Sequence, residues 1–126
     1  MTAPAQRTVL VVDDDADTRQ GLCEILEDEG YRCEMADDGS EALGLLDDTP
    51  QRVDVVLLDL MMPRMDGWTV LRRMEADPKL RRVPVVVMSA GGARALSSLP
   101  AQQLRLAKPI DIDELLPVLR EAAGVS

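Results

Sequence analysis

Four short apolar blocks recur along the chain, and each ends on a polar residue. "VLVV" (9–12) runs into Asp13, "VDVVLLD" (53–59) closes on Asp59, "VPVVVMS" (83–89) on Ser89, and "LRLA" (104–107) on Lys108. Continuous apolar runs of this length predict strands covered on both faces. "YRCEMA" (31–36) alternates instead and predicts a strand with one wetter side. Between these blocks the period changes to that of a helix. From Ala16 to Glu29, Leu22, Ile25 and Leu26 fall on one face, and Gly30 is the stop signal. "DDGSEALGLLDD" predicts a capped helix with Ala42, Leu45 and Leu46 inward, and "GWTVLRRMEA" another, closed by Asp77-Pro78. "AGGARALSSLPAQQ" carries two glycines, two serines and a proline, leaving room for a short helix only. Asp111 with Glu114 resembles a capping box for a last helix through Ala123, with Pro117 expected to bend it.

Strand and helix therefore alternate five times, which predicts a parallel sheet sandwiched between helices. Binding and chemistry in such sheets lie beyond the carboxyl ends of the strands. The sequence places Asp13, Asp14, Asp59, Ser89 and Lys108 there. Each has an ordinary explanation alone: a helix cap, a turn, a solvated charge. Their coincidence over four strands points to a site. Three crowded carboxylates repel one another unless a cation joins them, and an all-oxygen set suits a hard ion such as Mg2+. With the charge of Asp13 and Asp14 offset, Asp59 is free to act as a nucleophile toward phosphorus. Mg2+, Lys108 and the Ser89 hydroxyl are then the groups to hold the phosphoryl oxygens.

Composition narrows the field. The 126 residues suit one domain, with 1–7 as a flexible lead-in, 8–123 as the folded unit and 124–126 as a tail. Fourteen basic against 23 acidic residues give −9, which disfavours nucleic acid as partner. Without a histidine, triad and His-zinc chemistry are excluded. No run is apolar or long enough for a membrane span or a signal peptide, so no membrane association and a cytoplasmic location are expected. Cys23 and Cys33 are expected to be ordinary reduced thiols.

The segments "VLVVDDD", "DVVLLDLMMPRMDG", "VPVVVMSA" and "AKP", at these intervals, resemble the receiver domain of two-component response regulators. The resemblance covers nearly the whole chain. It implies a flavodoxin-like (βα)5 three-layer sandwich with a five-stranded parallel sheet in the order 2-1-3-4-5. It implies Asp59 as phosphoacceptor, with Asp13, Asp14 and the Met61 backbone carbonyl joining it around Mg2+. Ser89 matches the family's switch hydroxyl and Lys108 its lysine, with a cis bond to Pro109. The implied role is a single-domain regulator, not an enzyme in its own right. It would take a phosphoryl group from a histidine kinase or histidine phosphotransfer protein and signal to a protein target. Where the family usually carries a switch aromatic, three residues before the lysine, this chain has Arg105. A guanidinium there is expected to stay outward.

Two other readings fit parts of the pattern. A receiver-like adaptor that signals without phosphate would explain Arg105 but not the intact acidic pocket. An aspartyl-phosphate phosphohydrolase usually carries a second aspartate two residues after the nucleophile, where this chain has Met61. Arg72, Arg73, Lys79, Arg81 and Arg82 form a basic run whose plain explanation is a solvated helix end.

Overall fold

The computed structural model describes residues 7–48 and 52–124; most of the expected lead-in and tail lie outside them. The elements alternate as anticipated: β1 Thr8–Val12, α1 Ala16–Asp28, β2 Arg32–Ala36, α2 Gly39–Asp48, β3 Val55–Asp59, α3 Gly67–Ala76, β4 Val85–Ser89, α4 Gly92–Leu96, β5 Arg105–Ala107 and α5 Ile112–Ala122. All strands pair in parallel, in the order β2-β1-β3-β4-β5. The reversal between β1 and β3 opens the crevice that such sheets use for binding.

Side-chain parity divides the core. Val9, Val11, Val55 and Leu57 face α1 and α5, where they pack with Leu22, Leu26, Leu115 and Leu119. Leu10, Val12, Val56 and Leu58 face α2 and α3, against Ala42, Leu46, Val70 and Met74. That is the period of two expected of strands covered on both sides. Leu60, Val87 and Leu99 form a smaller third cluster, with Trp68 and Leu96 against it.

Local signals explain most boundaries. Gly30 follows α1 at φ 95°, a conformation open to glycine at little cost. The Asp38 carboxylate accepts from the Glu41 N–H at 2.8 Å and caps α2. Asp111 caps α5 through the Asp113 N–H at 2.9 Å, one position earlier than a capping box uses. Helix α4 has five residues, as its glycines and serines foretold.

Three details depart from expectation. Cys23 and Cys33 are joined by a disulfide rather than being free thiols. Packing of α1 on β2 brings their Cα atoms to 5.6 Å, a separation that a spacing of ten residues does not reveal. Ile25 and Leu45, expected inward, are half-buried, and Cys23 takes a core position on α1. Closing this loop removes unfolded-state entropy worth about 2–3 kcal/mol. The oxidised protein should therefore unfold at higher urea than the same protein in excess dithiothreitol, and Cys33→Ser should remove the difference. Two thiols still titrating in native protein after treatment with oxidised glutathione would contradict the pairing.

Candidate phosphoryl-acceptor site

The strand ends deliver the site because parity continues past them. Asp13 follows Val9 and Val11, and Asp59 follows Val55 and Leu57, so both carboxylates lie on the α1/α5 side of the sheet. Register sets Val12 against Leu58, which makes the two aspartates neighbours. Both are buried, Asp13 fully and Asp59 to 3% exposure. Lys108 reaches across from the end of β5. Its Nζ donates to Asp13 Oδ2 at 2.7 Å and to Asp59 Oδ2 at 3.2 Å. The remaining oxygens are held by backbone: Asp13 Oδ1 accepts from the Asp15 N–H at 2.9 Å, and Asp59 Oδ1 from the Met61 N–H at 3.1 Å.

Asp14 is exposed, yet its carboxylate completes a trio with Asp13 and Asp59 whose oxygens lie within 4.8 Å of one another. None of these aspartates caps α1. The N-cap position is Asp15, whose carboxylate takes the Thr18 hydroxyl instead of a helix N–H.

Ser89 has the opposite parity. Val86 and Met88 face α1 and α5, whereas Val87 and hence Ser89 turn toward α4. The Ser89 hydroxyl is fully buried and accepts from the Gly91 N–H at 3.0 Å. Among the described residues it bonds to neither carboxylate. Its backbone carbonyl accepts from the Lys108 N–H at 2.9 Å, so β4 positions the lysine. The Lys108–Pro109 bond is cis.

The loop after Asp59 is shaped by close approach. A Cβ at Gly67 would stand 2.6 Å from the Asp59 carbonyl oxygen and 2.7 Å from Leu60 Cα. Only glycine lets α3 start there. Asp66 then caps the helix by accepting from the Thr69 N–H at 2.9 Å. Met61, at 53% exposure, stands open to solvent after Asp59. Trp68 is turned to the third cluster, where its Nε1 donates to the Ser98 hydroxyl at 3.1 Å.

Two positioning residues carry no motif. Arg19 donates from Nη1 to the Asp13 carbonyl oxygen at 2.6 Å. Arg105 is half-buried rather than outward: it donates to the carbonyls of Gln103 at 3.0 Å, Leu96 at 2.7 Å and Pro100. Leu96 and Pro100 already accept from the Leu99 and Gln103 N–H groups, so Arg105 adds a second donor to each and ties the turns after α4 together.

Burial pushes the Asp59 carboxyl above its ordinary value. The Lys108 charge opposes that shift and Asp13 reinforces it. Burial alone would lower Lys108, but its bond to Asp13 and the charges of both aspartates outweigh it and hold the ammonium above its ordinary value.

A family model described as the response regulator receiver domain matches residues 9–120. The chain belongs to this family. The receiver is 38% identical over 115 residues to the response regulator MprA of Mycolicibacterium vanbaalenii, covering 89% of this chain and 48% of that protein. It is 36% identical over 115 residues to the transcriptional regulatory protein CpxR of Escherichia coli, covering 89% and 47%. It therefore spans about half the length of these curated relatives. Among solved structures it resembles Vibrio cholerae chemotaxis protein CheY4, with a TM-score of 0.83 and 28% identity over 94% of this chain and 99% of that one. It also resembles the receiver domain of a sensor histidine kinase from Pseudomonas aeruginosa, solved with a magnesium ion in its active site cleft. That match has a TM-score of 0.84 and 28% identity over 95% and 99% of the two chains.

The direction of the Asp59 shift has a consequence for stability. A raised folded-state value means the fold disfavours the ionised carboxylate. The penalty is present above that value and disappears as the pH falls below the ordinary carboxylate range. In metal-free buffer Asp59→Asn should raise Tm near neutral pH by about 2–5 °C, with the gain shrinking on acidification. A lower Tm, or a gain that does not change with pH, would contradict the assignment.

Proposed function

We propose that this receiver takes a phosphoryl group onto Asp59 from a phosphohistidine on a histidine kinase or phosphotransfer protein, and passes the signal on by protein contacts. The observation that carries the reading is the Asp59 carboxylate held between Lys108 and the Asp13–Asp14 pair at the mouth of the sheet crevice. Three clustered carboxylates with one exposed member fit a hard divalent cation entering from solvent. Asp13, Asp14 and Asp59 would hold it, with the Met61 carbonyl as the further ligand suggested by the family pattern. When bound, Mg2+ offsets carboxylate charge and draws phosphoryl oxygens into the cleft.

The chain's own residues account for the transfer. An Asp59 carboxylate oxygen forms the new bond to phosphorus while the P–N bond to the donor imidazole breaks. The electron pair leaves with the ring nitrogen of a phosphoimidazolium whose other nitrogen already carries a proton, so the donor ends as neutral histidine and Asp59 as an acyl phosphate. Lys108, already hydrogen-bonded to Asp59, is placed to exchange that partner for a phosphoryl oxygen. Ser89 accepts from Gly91 and retains its own proton, which it can donate to a second phosphoryl oxygen only by turning from the α4 side toward Asp59.

Among the described residues no helix is long and apolar enough to cross a membrane. A cytoplasmic location fits a donor supplied by ATP, and it would keep Cys23 and Cys33 reduced in the cell. The disulfide then belongs to protein exposed to an oxidant.

Wild-type protein incubated with acetyl phosphate and Mg2+ should gain one base-labile phosphoryl group. The gain should vanish with chelator and in Asp59→Asn. Labelling of Asp59→Asn to the wild-type level would refute the site.

A further inference from the structure

Away from the strand ends lies a surface that phosphoryl chemistry does not use. Arg72 and Arg73 on α3, and Lys79, Arg81 and Arg82 between α3 and β4, are all exposed. None of the five enters an ion pair among the described residues. Only Glu75 and Asp77 oppose them within the stretch. The Asp77 carboxylate is engaged locally, accepting from the Lys79 N–H at 2.9 Å. Five unpaired cations in a chain of net −9 are a concentrated exception to its charge.

The same corner contains a small notch of mixed lining, aliphatic walls with Gln103 and charged groups beside them. A cavity of about 110 Å3 opens between α3 and the start of β4, walled by Leu71, Met74, Leu80 and Val83, with Glu75 and Arg81 as its charged lining. It is somewhat smaller than the ~150 Å3 cavity that holds a benzene molecule, so its scale is one aliphatic side chain. Arg81 belongs to both features and joins them into one surface.

We propose that the α3–β4 corner docks a short acidic protein segment, with one aliphatic side chain seated in the notch and flanking carboxylates on the arginines. Guanidinium groups present the planar fork that suits carboxylates. A nucleic acid fits less well. It would meet the field of the whole acidic chain, with Glu75 in the lining of the notch itself. The small footprint implies weak, transient binding. Arg72 and Arg73 stand roughly 8–9 Å along α3 from Gly67 at the Asp59 carbonyl, and Lys79, Arg81 and Arg82 follow the far end of the helix.

The test is fluorescence anisotropy with a labelled decapeptide of acidic residues around a single leucine. Wild-type protein should bind it saturably with a Kd on the order of 10–100 µM at low salt. Arg81→Glu with Arg82→Glu should weaken binding about tenfold or more, and so should Arg72→Glu with Arg73→Glu, which guards against misfolding of either pair. Replacing the peptide leucine by serine should weaken it about fivefold. Absence of saturation, unchanged binding in both charge-reversed variants, or indifference to the leucine overturns the proposal. So does equal competition by a single-stranded oligonucleotide of the same charge, which would mark a general anion surface.

Discussion

The ammonium of Lys108 is the contact on which the site depends. Two buried aspartates side by side would repel each other, and burial already disfavours the charge on Asp59. Lys108 spans both, at 2.7 Å and 3.2 Å. Its position is inherited from the sheet: β5 pairs with β4, and the Ser89 carbonyl fixes the Lys108 N–H. The cation thus closes a circuit from β1 through β3 to β5, and the crevice stays assembled before any ligand enters. Under the proposed function the same contact also serves the chemistry, since a cation beside Asp59 can turn from carboxylate to phosphoryl oxygen.

A second constraint works on the other side of the crevice. The segment from Ala90 to Leu104 contains a helix of five residues, too short to be stable by itself. Leu99 anchors it in the third cluster, Trp68 bonds Ser98, and Arg105 gathers the carbonyls of Leu96, Pro100 and Gln103. An aromatic at residue 105 could move without leaving polar groups unpaired. A guanidinium carrying three carbonyl partners moves only by giving them up. In this receiver the α4–β5 segment is accordingly tied to Arg105, at the position where the family pattern leads one to expect a switch aromatic.

The sequence was legible where one physical cause dominates. Apolar runs ending on a polar residue marked β1, β3 and β4 and put Asp13, Asp59 and Ser89 at strand ends. Glycines and serines correctly limited α4. Strand parity separates Ser89 from the carboxylates, a difference that strand-end position alone does not show. Other features depend on packing that no spacing encodes. Cys23 and Cys33 meet only because α1 lies on β2. Arg19 reads as a solvated helix charge until the fold sets it under the Asp13 carbonyl. Arg105 was expected outward because burying a guanidinium is costly, and the backbone carbonyls at the end of α4 remove that cost. Gly67 was readable as the start of a helix, but its reason, the contact of Gly67 with the Asp59 carbonyl, is a property of the folded chain.

The central claim is that Lys108 neutralises the carboxylates and also serves the arriving phosphoryl group. These roles separate in one variant. Titrating Mg2+ into Lys108→Ala and wild type by calorimetry, alongside phosphorylation by acetyl phosphate at saturating Mg2+, measures both. Without the ammonium the carboxylates attract a divalent cation more strongly, so the variant should bind Mg2+ several-fold tighter, about 1 kcal/mol, yet gain phosphate at least tenfold more slowly. Weaker Mg2+ binding, or phosphorylation at the wild-type rate, would contradict the account.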